Sequence, residues 1–124
     1  MKGVINYAPP NSLILIDGSS NADIPNSMDG KGISATPSCI AVGTLSQQDG
    51  ETSIVLTDEI SALTADEALH IVYTGQLETP NREILVENVL GDLILKMLTK
   101  EKHTKISVFS NHDSEPDKLV IIIQ

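Results

Sequence analysis

Apolar and polar positions along this chain fall into short runs separated by turn residues. Residues 12–17 (SLILID) hold four apolar positions in a row, which predicts a strand buried on both faces and therefore central in its sheet. Residues 118–124 (KLVIIIQ) read the same way. Residues 104–110 (TKISVFS) alternate, with Ile106 and Val108 on one face. Residues 52–57 (TSIVLT) alternate in part, Ile54 and Leu56 against Ser53, Val55 and Thr57. Residues 69–74 (LHIVYT) predict a further strand that stops at a turn on Gly75. Residues 32–44 predict an extended run interrupted at Pro37. Proline has no N–H for the ladder, so it marks an edge, a bulge or a bend between two short strands.

The connections carry turn chemistry. Residues 6–11 are a Pro-rich lead-in. Residues 18–31 are rich in Gly, Ser, Asn, Asp and Pro without periodicity, which predicts a long loop. Within 46–51, Asp49-Gly50 predicts a hairpin turn. Residues 58–68 have the composition of a helical turn, and Thr64 with Glu67 matches a capping box. Residues 111–117 form a polar turn holding Pro116.

One stretch is ambiguous. Val86, Val89, Leu90, Leu93, Ile94, Met97 and Leu98 sit at helical spacing. Read as two strands, 84–90 and 92–98, the same stretch places Gly91 at a bend or bulge. The strand reading is preferred because strands flank it at regular spacing. The whole pattern predicts one domain, 1–124, all-β: a two-sheet antiparallel β-sandwich of about eight short strands. The alternative is an α+β fold with one helix near 86–100 packed on a sheet.

Composition narrows the core and the function together. There is no Trp, one Phe and two Tyr, so the core is built from Ile, Leu and Val. Few aromatics also leave few platforms for stacking bases or sugars. The formal net charge is −9. Such a charge opposes binding to phosphate backbones and to anionic membranes. It favours a basic protein partner through complementary potentials. Residues 3–81 carry ten carboxylates against Lys31, whereas residues 82–124 are nearly balanced. The candidate partner-binding residues are Asp17, Asp23, Asp29, Asp49, Glu51, Asp58 and Glu59. No signal peptide is evident, and a cytoplasmic protein is the expectation.

Motifs for chemistry are absent. There is no nucleophile elbow, P-loop, dinucleotide fingerprint or H-E-x-x-H. Cys39 lies in an apolar run and reads as a core residue. Asp17, Asn21 and Asp23 have oxygen-ligand spacing, but Ala22 and Met28 stand where an EF-hand needs Gly and Glu. A calcium site then requires Asp17, Asp23 and Asp29 to converge with Asp113 or Asp117. The paired carboxylates Asp58-Glu59 and Asp66-Glu67 lack the aromatic platform of a sugar site. No cofactor or metal is implied, and the protein is read as non-catalytic.

The order and spacing of residues 32–44 (GISATPSCIAVGT), 52–56 (TSIVL), 82–86 (REILV), 89–92 (VLGD), 104–108 (TKISV) and 115–119 (EPDKL) resembles a known family. It is a family of small acidic bacterial β-sandwich proteins that includes the competence-associated inhibitor of a DNA-entry nuclease. The resemblance covers about two-thirds of the chain and implies an acidic face that occupies a basic nuclease site without catalysis. No sharp motif carries contact residues over one by one. Read together, the sequence points to a protein-binding module of inhibitor or immunity type that meets a basic partner. The alternatives are a self-associating assembly domain and a calcium- or carbohydrate-binding sandwich.

Overall fold

The computed structural model describes residues 1–19, 22–25, 32–62, 69–112 and 115–124. Ten strands form two five-stranded sheets. In chain order they are β1 (Lys2–Tyr7), β2 (Leu13–Asp17), β3 (Ile33–Thr36), β4 (Cys39–Gly43), β5 (Thr52–Thr57), β6 (His70–Glu78), β7 (Glu83–Asn88), β8 (Leu93–Leu98), β9 (His103–Ser110) and β10 (Lys118–Ile123). Sheet A runs β1-β5-β10-β9-β6 and sheet B runs β3-β4-β2-β7-β8. All pairings are antiparallel except β5 with β10, which is parallel. The two strands predicted to be central, β2 and β10, each occupy the middle of a sheet.

The stretch 86–100 is two strands joined by a tight turn. Gly91 adopts φ +88°, a left-handed conformation that favours glycine and that a continuous helix excludes. Pro37 marks the bend between β3 and β4. Three expectations are corrected. Strand β1 lies ahead of the Pro-rich lead-in and pairs with β5 along its full length, and with 32–44 divided into β3 and β4 the sandwich has ten strands where about eight were expected. Asp49-Gly50 is a turn but not a hairpin: β4 belongs to sheet B and β5 to sheet A, and 44–51 crosses between the sheets. Strand β6 does not stop at Gly75. It continues to Glu78, with the Tyr73 ring lying over Gly75 and filling the place of the missing side chain. The segment after β5 begins with a short 3₁₀ turn, Ile60–Ala62. The capping box at Thr64 and Glu67 lies outside the described residues.

Period-2 alternation turns one face of each strand inward. Ile14 and Ile16, Ile40 and Val42, Ile84 and Val86 from sheet B meet Ile54 and Leu56, Ile106 and Val108, Leu119 and Ile121 from sheet A. This aliphatic core is what the scarcity of aromatics predicted. The outer faces are buried in part as well. Leu15, Cys39 and Ala41 form a second cluster on sheet B, with Leu13 and Ala22 packed on it. Val55, Val120 and Ile122 form a third on sheet A, with Leu69 and Phe109 packed on it. That is why β2, β5 and β10 are apolar on both faces.

Candidate protein-binding face

The register sorts the connections to two ends of the sandwich. Residues 1, 18, 37–38, 58–59, 79–82, 99–102 and 124 lie at one end, called upper here. Residues 8–12, 44–51, 89–92, 111–112 and 115–117 lie at the other, the lower end.

The lower end is held together by backbone and side-chain hydrogen bonds between distant segments. The Leu45 N–H and the Thr52 hydroxyl both donate to the Pro116 carbonyl, at 3.0 Å each. The Ser53 N–H donates to the Asp117 carbonyl at 2.8 Å. The loop carrying Asp49 and Glu51 is thereby fastened to the turn carrying Glu115 and Asp117. Within that turn the Asn111 amide donates to the Asp117 carboxylate, and the Glu115 N–H donates to His112 Nδ1 at 3.0 Å. Asp92 joins from the β7–β8 turn. The Asn88 side chain accepts from the Leu90 and Asp92 N–H groups at 2.9 and 3.0 Å. Its amide donates to Asp92 Oδ2 at 3.1 Å and to the Tyr7 hydroxyl at 3.0 Å.

Among the described residues the lower end therefore carries five exposed carboxylates: Asp49, Glu51, Asp92, Glu115 and Asp117. Lys118 is the one Lys or Arg at this end among the described residues. Leu90 stands beside them at the tip of its turn, 72% exposed. The upper end mixes signs. Asp58, Glu59, Glu78 and Glu101 lie among Lys2, Arg82, Lys100 and Lys102. A cleft of about 530 Å³ at this end is lined by Met1, Asp58, Leu98, Lys100, Glu101 and Gln124, among others.

The sequence-predicted residues are thus divided. Asp49 and Glu51 are exposed at the lower end. Asp58 and Glu59 are exposed at the upper end beside the Met1 amine, at 2.6 and 3.9 Å. The hydrogen bond from that amine holds the Asp58 carboxyl below its ordinary value. Asp23 is exposed at the upper end. Its N–H bonds Ser38 Oγ at 2.7 Å, and its carbonyl accepts from Thr36 Oγ1 at 2.5 Å. Asp29 lies outside the described residues. Asp17 is not a surface charge. It is 4% exposed on the outer face of sheet B, where burial, then the hydrogen bond and charge of Glu87, push its carboxyl up to about 8. Cys39, its cross-strand partner, is pushed up to about 12 by burial and by the same two carboxyls.

Asp23 and Asp117 lie at opposite ends and do not meet at one calcium, while Asp29 and Asp113 of that arrangement lie outside the described residues. Among the described residues no three His, Cys, Asp or Glu side chains are grouped to hold a metal. Asp92, Glu115 and Asp117 sit in the segment of balanced charge and are not among the partner-binding residues expected from the sequence, which places Asp117 only in a calcium arrangement. Their signal was the turn chemistry around them rather than the charge count. No helix among the described residues is long and apolar enough to cross a membrane.

No protein-family model matches the chain, and no curated protein matches it in sequence. Its fold is similar to that of ComJ from Bacillus subtilis, the inhibitor of the DNA-degrading activity of NucA, seen in a crystal structure. The TM-score is 0.62 at 14% identity, over 98% of this chain and 97% of that one.

Proposed function

We propose that this chain is a non-catalytic protein-binding module of the inhibitor type, and that its lower, acidic end meets a basic partner protein. The observation that carries the reading is the fold likeness, over nearly the whole of both chains, to an inhibitor of a DNA-degrading activity. The charge distribution supports the choice of surface. A site that grips nucleic-acid phosphates is cationic, and carboxylates held on neighbouring turns complement it. Leu90 supplies an apolar contact next to Asp92, in the manner of an anchor ringed by charge.

The test is digestion of DNA by a basic nuclease with and without this protein. Inhibition is expected at about 50 mM salt and is weaker at about 500 mM, where charges are screened over a few ångströms. Full digestion at both salt concentrations, with no complex detected by light scattering, would sink the reading for that nuclease. A second reading is self-association through edge strand β8. Leu93 and Leu98 on that edge are 55% and 63% exposed. It predicts a dimer at micromolar concentration that is indifferent to salt.

A further inference from the structure

Strand β8 is an edge of sheet B and pairs with β7 alone. The ladder sets the facing of its side chains. Ile84 and Val86 of β7 face the core, so Met97 and Leu95 opposite them face inward as well. Leu98, Lys96 and Leu93 stand opposite Glu83, Leu85 and Glu87 and share the outer face. Strict alternation would put Leu93 and Lys96 on different faces. The register shift between Val86 and Glu87 takes up the extra residue and turns Leu93 outward. In ladder positions the two leucines therefore flank Lys96 symmetrically.

Both leucines are exposed. Strands β1 and β6, edges of sheet A, expose one large hydrophobic residue each, Val4 and Ile71, and edge β3 exposes none. A lysine ordinarily blunts an edge strand. Here Lys96 is paired with Glu83 at 3.1 Å, which neutralises it. Past the leucines the signs are opposite. Asp92 precedes Leu93, Lys100 lies two residues after Leu98, and both are exposed.

Such a strip is complementary to itself when reversed. We propose that β8 is the seam of a twofold dimer, in which the β8 strands of two copies run antiparallel with the axis beside Lys96. Leu93 of each copy packs against Leu98 of the other, and Asp92 of each comes next to Lys100 of the other. Pairing across the seam also gives partners to the backbone groups on the open side of β8. The leucine contacts supply most of the affinity. The exposed ion pairs add little, but they select the orientation, because a parallel meeting sets like charges together. This arrangement specifies the second reading above, self-association through β8, and rests on it.

Sedimentation velocity between about 1 and about 200 μM reads the association, and the wild type is expected to pass from monomer to dimer within that range. Leu93→Ser and Leu98→Ser are each expected to weaken the dimer about tenfold or more, while Val4→Ser on β1 leaves it unchanged. At about 50 mM salt, Asp92→Lys alone and Lys100→Asp alone are each expected to weaken it about fivefold, since each sets like charges together. Mixing these two proteins is expected to restore wild-type affinity, because opposite charges then meet at both ends of the seam. Circular dichroism checks the fold of each variant, and if Asp92→Lys does not fold, the leucine and valine variants decide. A mixture no tighter than its components would overturn the antiparallel seam. A dimer that every variant leaves unchanged would overturn it too, while keeping the self-association reading. A monomer at all concentrations would overturn both.

Discussion

The Asn88 amide donates to the Tyr7 hydroxyl at 3.0 Å, joining strands 81 residues apart and in different sheets. Asn88 is 1% exposed and serves the β7–β8 turn with its other polar atom. One side chain thus closes the lower margin of the core and aims Asp92. Asn88→Ala leaves two turn N–H groups and a tyrosine hydroxyl without their partner. It is expected to cost about 2–3 kcal/mol, whereas Tyr7→Phe costs about 1 kcal/mol. Urea unfolding checks both, as a lower midpoint with an unchanged slope.

Gly18 is required by close approach. A Cβ there would stand 2.3 Å from the Glu78 carbonyl oxygen and 2.8 Å from Thr79 Cα, both backbone atoms. Neither yields as a flexible side chain would. Gly18→Ala is expected to destabilise the fold by about 2 kcal/mol or more. Gly91→Ala meets no atom within 4 Å and is strained only by its positive φ, so about 1 kcal/mol is expected. Thermal unfolding of the two variants should rank them in that order.

The Asp17 carboxyl makes stability depend on pH in a definite direction. Its folded-state value is raised to about 8, so between about 4 and 8 the folded protein holds a proton that the unfolded chain has lost. Stability from this group is complete below the ordinary carboxylate range and is lost as the pH rises through about 8. Asp17→Asn carries no such proton. Relative to wild type it should become steadily more stable between about pH 4 and pH 8, by at most roughly 1.4 kcal/mol per pH unit. Parallel stability curves for the two proteins over that interval would refute the assignment.

The two ends of the sandwich offer an internal control for the proposed interface. Asp49→Lys with Glu51→Lys reverses charge at the lower end. Asp58→Lys with Glu59→Lys does so at the upper end. With a basic nuclease that the wild type inhibits, the first pair is expected to slow association about tenfold at low salt, and the second to leave it nearly unchanged. Surface plasmon resonance gives both rates. The opposite ranking would move the interface to the upper end.

Local pattern was enough for most of the fold. Four consecutive apolar residues in 13–16, and again in 120–123 after Leu119, identify strands that need cover on both faces, and β2 and β10 have it. Gly91 and Pro37 mark breaks because their backbone chemistry is the same in any context. The scarcity of aromatics specifies an aliphatic core whatever the partner of a given side chain. Strand β1 carries little local signal, because its alternation is short and half polar. It is an edge strand, stabilised by pairing to β5 rather than by its own composition.

Charge location was decided by the tertiary structure alone. Along the sequence the carboxylates concentrate in the first two-thirds. In space they sort by the end of the sandwich, because the ladder register gathers turns that are 25 to 68 residues apart, such as those of Asp49, Asp92 and Asp117. The same register takes Asp17 out of solvent. Asp17 follows an apolar run, and in a strand covered on both faces the last residue is buried with its neighbours. Sequence determines which residues alternate and which must turn. Only long-range pairing determines which of them meet, and the meeting of Asp17 with Glu87, or of Asn88 with Tyr7, has no local signature to read.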